Sequence, residues 1–98
     1  MTEFKLLLSP QAERELERVI ALYRKEEFGL GARFECEFMA FLDIIKCRPD
    51  LFVARDDGMR TVRMGAKFPY ELEYKYNEVS EEILVTTVAH QNLRSRYQ

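Results

Sequence analysis

Two apolar stripes of identical spacing, set end to end across a very short turn, constrain this chain more than any other feature. Ala12, Leu16, Val19, Ile20 and Tyr23 recur at offsets 0, 4, 7, 8 and 11, and Phe34, Phe38, Phe41, Leu42 and Ile45 repeat the same offsets. Residues three and four apart share a face of an α-helix, so each run predicts an amphipathic helix. Two such helices with so little chain between them fold back as an antiparallel hairpin, laying both stripes on one surface. That surface needs a cover, and the remainder of the chain supplies one.

The flanking residues agree with this reading. "EFKLLL" (3–8) reads as a strand with Phe4, Leu6 and Leu8 on one face. Ser9 is placed to cap the first helix and Pro10 to open it, where the missing proline N–H is not needed. Gly29 is the expected stop, because glycine takes left-handed backbone without strain, and the second helix starts near Gly31. Pro49 ends that helix by pushing Arg48 out of the α region. Beyond "DLFVARDDG" (50–58), a loop turning at Asp56-Asp57-Gly58, the period changes to two. "TVRMG" sets Val62 and Met64 against Thr61 and Arg63, and "YELEYKY" (70–76) sets Tyr70, Leu72, Tyr74 and Tyr76 against Glu71, Glu73 and Lys75. "NEVSEE" is a polar hairpin connection, and "ILVTTVAH" (83–90) is apolar or β-branched on both faces, as a central strand should be. The expected fold is a two-layer α+β domain over 1–98: an N-terminal strand, an α-helical hairpin, then a three-stranded antiparallel meander.

Composition narrows the function. The 98 residues suffice for one core, and a formal charge of -2 argues against a protein that coats nucleic acid through overall charge. Cys36 and Cys47 fall in one helical stretch, about 16 Å apart along its axis at ~1.5 Å per residue, beyond the ~7 Å reach of a disulfide. They are expected to be reduced. With two thiols and one distant histidine, no metal or other cofactor is expected. "MTEFKLLLSPQ" lacks the basic start and the apolar length of a signal peptide or membrane span, so a cytoplasmic protein without a membrane partner is expected.

Charge is unevenly spread. Arg55, Arg60, Arg63 and Lys67 stand against only Asp56 and Asp57, and His90, Arg94 and Arg96 close the chain with no acid among them. Between these groups lie Glu71, Glu73, Glu78, Glu81 and Glu82. Adjacent antiparallel strands would bring Arg63 near the start of the tail, placing arginines beside His90 and Tyr97 on the solvent side of the sheet. Arginine grips phosphate as a rigid fork, histidine moves a proton near neutral pH, and tyrosine stacks on a base. The plainer alternatives are a solubilising tail and an Arg63 paired across the sheet with Glu71 or Glu73.

"LSPQAERELERV" after a first strand, "FPYELEYKY" after an arginine-bearing strand and "ILVTTVAHQNLRSRY" at the end together resemble the RelE/ParE superfamily of bacterial toxins. The resemblance spans nearly the whole chain and lies in the order and spacing of short motifs. It implies the toxin half of a type II toxin–antitoxin module, a growth inhibitor silenced by a cognate antitoxin encoded beside it. The antitoxin of such a pair wraps an extended or helical segment over the toxin. The implied landing place is the groove between helices and sheet, with Tyr70, Tyr74 and Tyr76 as anchors. An exposed apolar groove also implies self-association of partner-free protein as a homodimer.

The superfamily divides by mechanism. One branch cleaves messenger RNA on the ribosome without a metal, using basic residues on the sheet and a tyrosine or histidine near the C-terminus. Carried onto this sequence, Arg60 and Arg63 supply charge from the second strand, Arg94 stabilises the phosphate, and His90 or Tyr97 transfers the proton. Arg55, Lys67 and Arg96 complete the implied target- or nucleic-acid-binding set. The sequence departs from that branch in its thin lysine content near the site and its negative net charge. The other branch, ParE, binds DNA gyrase and performs no reaction of its own. The long hairpin and the "FPY" element before the alternating strand favour it. A third reading keeps the fold as an interaction module without toxicity.

Overall fold

The structure, a computed structural model, describes residues 3–91. Six elements follow the expected order: β1 (Lys5–Leu8), α1 (Pro10–Glu26), α2 (Leu30–Cys47), β2 (Arg60–Arg63), β3 (Tyr70–Asn77) and β4 (Glu82–His90). Strands β2, β3 and β4 form the antiparallel meander, while β1 joins the other side of β4 in parallel, giving the order β1-β4-β3-β2. Parallel neighbours need a long crossover, and here the chain between β1 and β4 comprises the helical hairpin followed by β2 and β3. β4 is therefore internal to the sheet, which explains its apolar letters on both faces.

Local chemistry sets the ends of the helices. Ser9 Oγ accepts the N–H of Ala12 at 3.1 Å and donates its own proton to the Thr86 carbonyl at 3.2 Å, so one side chain caps α1 and ties it to β4. α1 closes earlier than glycine alone suggests: Glu27 is extended, and its N–H bonds Tyr23 O at 3.2 Å. Gly29 does adopt left-handed backbone, at φ 82°, but as the residue that launches α2. At Gly31 the two helices nearly touch, since a Cβ there would stand 2.9 Å from Ile20 O.

The core is the predicted pairing of stripe and sheet face. Phe34, Phe38, Leu42 and Ile45 from α2 and Ala12 and Val19 from α1 are buried against Val62, Leu72, Tyr74, Ile83, Val85 and Val88. Tyr23, Phe34, Phe68 and Tyr70 meet mostly edge to face, with Tyr23 and Phe68 at 5.1 Å and Phe34 and Tyr70 at 5.7 Å. One irregularity matters for the site. Tyr74 pairs with Val85 and Glu73 with Thr87, which leaves Thr86 as an extra residue in β4. Such a bulge switches the alternation, so Ile83 and Val85 before it, and Val88 and His90 after it, face the helices.

Candidate interaction site on the sheet

The side of the sheet turned away from the helices was expected to be a solvated basic face, and it is organised differently. Glu71 and Glu73 lie there yet are only 4% and 5% exposed. The strand register forms two rows across them, Arg63–Glu71–Ala89 and Thr61–Glu73–Thr87. Arg63 Nε stands 3.3 Å from Glu71 Oε2, and Arg55 reaches Glu73 while also pairing with Asp57 at 2.9 Å. Thr61 Oγ1, in the second row, is buried and has no hydrogen-bond partner among the described residues. The Met59 N–H and the Arg55 guanidinium hold the Asp57 carboxyl below its ordinary range. Arg63 and Arg55 thus bring their charge to carboxylates of their own chain.

Arg60 does not join them. It pairs with Tyr74 and shares the helix side with Val62, and its Nη1 donates to the carbonyls of Asp50 and Phe52, at 3.2 and 2.6 Å. Its guanidinium carbon also lies 5.3 Å from the centre of the Tyr76 ring. This is a clamp on the loop after α2, in place of the predicted contact surface. Lys67 sits in the β2–β3 connection, its Nζ 5.9 Å from the Phe68 ring centre.

His90 is also displaced from its expected place. β3 separates β2 from β4, and the bulge turns His90 to the helix side, where its ring meets Tyr70 at 5.2 Å in an edge-on contact. Arg63 and His90 therefore face opposite sides of the sheet, and the expected Arg63–His90 grouping is not formed. Arg94, Arg96 and Tyr97 lie outside the described residues. Among those described, no three potential metal-binding side chains converge.

The three tyrosines proposed as partner anchors differ in access. Tyr74 is fully buried, and its hydroxyl donates to Pro49 O at 2.7 Å, so it presents nothing to a partner. Burial pushes its pKa up to about 12. Tyr70 and Tyr76 are half-buried and reach two clefts. Tyr70 lines one of ≈ 180 Å³ between α1 and β4, together with Glu15, Leu22 and His90. Tyr76 lines one of ≈ 410 Å³ with Leu7, Lys75 and Leu84.

No protein-family model matches this chain, and no curated protein matches it. Solved structures do. A chain of the chromosomal ParDE TA system from P. aeruginosa superposes with a TM-score of 0.70 at 13% identity, covering 90% of this chain and 96% of that one. The archaeal RelE–RelB complex from Pyrococcus horikoshii OT3 gives 0.59 at 14% identity, covering 92% and 97%. The isolated E. coli RelE toxin gives 0.54 at 12%, covering 97% and 99%. At such identities the likeness establishes the fold, and that fold is RelE/ParE-like.

Proposed function

We propose that this chain is the toxin of a type II toxin–antitoxin module and that it inhibits growth in the ParE manner, by binding DNA gyrase rather than by cleaving RNA. The observation that carries this reading is the pair of buried carboxylates, Glu71 and Glu73, engaged by Arg63 and Arg55 on the sheet face opposite the helices. A phosphate approaching that face meets arginines already partnered and two acids that repel it, so counterion release gives little grip. Arg60 and His90, the other described members of the set implied for RNA cleavage, face the helices. A surface of paired charge suits a protein target, where ion pairs set orientation more than affinity.

A cognate antitoxin is the proposed partner that silences the toxin. Tyr70 and Tyr76, each at the mouth of a cleft, are its proposed anchors, aromatic rings being favoured at the centre of such interfaces. No described helix is long and apolar enough to cross a membrane.

The test is induction of the chain without its partner, followed by an assay of purified gyrase for trapped DNA cleavage complexes. Trapping that persists in His90→Ala and Arg63→Ala supports the gyrase reading. New 5′ ends in translated messages that vanish in those variants would replace it with ribosome-dependent cleavage. Unimpeded growth on induction would leave an interaction module without toxicity.

A further inference from the structure

Among the described residues Phe28 is the most exposed large apolar side chain, standing clear of the turn between α1 and α2. That turn is tightly held. Gly29 takes φ 82°, the Leu30 N–H bonds Glu27 O at 3.2 Å, and the Arg33 N–H bonds Gly29 O at 3.1 Å. A single exposed apolar residue is ordinary, but this one has a receptor on the same molecule. A shallow cleft of ≈ 460 Å³ opens between α2 and the β2–β3 connection, lined by Ala32, Arg33, Cys36, Glu37, Lys67 and Phe68. Its surface is mostly apolar, and two cations, Arg33 and Lys67, border it against the one acid Glu37. The full exposure of Phe28 shows that it does not enter the cleft of its own chain.

Phe28, Ala32 and Cys36 are spaced by four, so they follow one line along the start of α2. A two-fold axis at Ala32 therefore sets the Phe28 of each copy against the Cys36 of the other. The small Ala32 side chain at the crossing point lets the two helices approach closely. Knob and cleft are reciprocal, which is what a closed, isologous dimer requires. Charge agrees with this pairing, since Glu26 and Glu27 precede the knob and the two cations border the cleft.

We propose that the chain self-associates as a two-fold dimer through the tip of its helical hairpin, each Phe28 entering the Cys36–Phe68 cleft of the other copy. Self-association is thereby assigned to a surface away from the groove between helices and sheet. The cleft between α1 and β4 shares no residue with this one, so Tyr70 stays free for the proposed antitoxin. The interface is small and rests on two aromatic anchors, which places it among weak, reversible associations. It is independent of the toxin reading, because it uses only the knob, the cleft and their spacing.

Sedimentation of the full chain across a concentration series tests it, with an expected Kd of about 10 µM. Phe28→Ala changes a fully exposed position and should leave thermal unfolding untouched. It is expected to raise the Kd about a hundredfold, since both anchors are lost at once. Glu27→Lys and Lys67→Glu should each weaken the dimer about fivefold, and the double variant should recover most of that loss. Phe28→Cys in a Cys47→Ser background should form a disulfide to Cys36 of the other copy. Within one chain Leu30 and Cys36 are already ~9 Å apart along α2, and position 28 lies before them, beyond the ~7 Å reach of a disulfide. A chain that stays monomeric at millimolar concentration would overturn the proposal, as would a dimer indifferent to Phe28→Ala. So would a dimer dispersed by Leu22→Lys instead, which would put self-association in the groove. A ladder of cross-linked trimers and longer species would overturn it too, by replacing the closed pair with an open chain of copies.

Discussion

Tyr74→Phe is a sharp test of how the sheet holds the loop after α2. The wild-type hydroxyl is buried and donates to Pro49 O at 2.7 Å, so its removal orphans a buried carbonyl at a cost of about 1–2 kcal/mol near neutral pH. The burial of the same hydroxyl makes stability depend on alkali. The native hydroxyl titrates at about 12, whereas an unfolded tyrosine titrates near 10. Because the native value is raised, the protonated native state holds its full advantage below pH ~10 and loses it progressively as pH climbs toward ~12. At pH ~11.5 the wild type should have lost about 2 kcal/mol through this group, while the phenylalanine variant loses none of it. The stability gap between the two proteins should therefore close. Urea denaturation at pH 7, 9, 10.5 and 11.5 measures it, and comparing the pair cancels the other tyrosines and lysines. A gap that stays constant across the series would mean that the hydroxyl is neither sheltered nor bonded as described.

Arg55→Ala should destabilise by about 2 kcal/mol, less than the 3–5 of a fully buried pair because Arg55 is itself 35% exposed. The double variant with Glu73→Gln should recover part of that loss in urea melts, and strict additivity would refute the coupling. Gly31→Ala pushes a methyl to 2.9 Å from Ile20 O and should cost about 1–3 kcal/mol in thermal unfolding, with an unchanged melt counting against the close helix crossing. Arg63→Ala, by contrast, removes a side chain 72% exposed and should stay within about 0.5 kcal/mol of wild type, a larger loss showing that the Glu71 pair matters more than its exposure implies.

The periodicity carried most of the architecture. Stripe spacing placed both helices, and the alternation in 70–76 put Leu72 and Tyr74 against them. The meander order of β2, β3 and β4 was legible, but the parallel seat of β1 beside β4 was not, because a period of two says which face a residue takes and not which strand lies beside it. Arg63 does share a row with the end of β4, across Glu71, but it meets Ala89 there and not His90. Arg60 was recoverable: it shares parity with Val62, and an arginine on the core side of a strand must find acceptors nearby, here the carbonyls of Asp50 and Phe52. His90 was not. "ILVTTVAH" is apolar or β-branched on both faces, so nothing in its letters marks Thr86 as the extra residue that turns His90 inward. The burial of Glu71 and Glu73 escaped for another reason: alternation assigns charged letters to water by default, and although the Arg63–Glu71 pairing was among the alternatives, the partner of Glu73 is Arg55, which lies in the loop before β2 where no alternation places it.

The parallel seam between β1 and β4 bears on how the molecule comes into being. During synthesis β1 leaves the ribosome first, yet the strand that gives it a neighbour is made only after both helices and two further strands. Until residues 82–90 emerge, the sheet consists of two pieces with nothing to join them. Acquisition of structure should thus wait until β4 has emerged, with the nascent helices holding apolar stripes in need of shelter meanwhile.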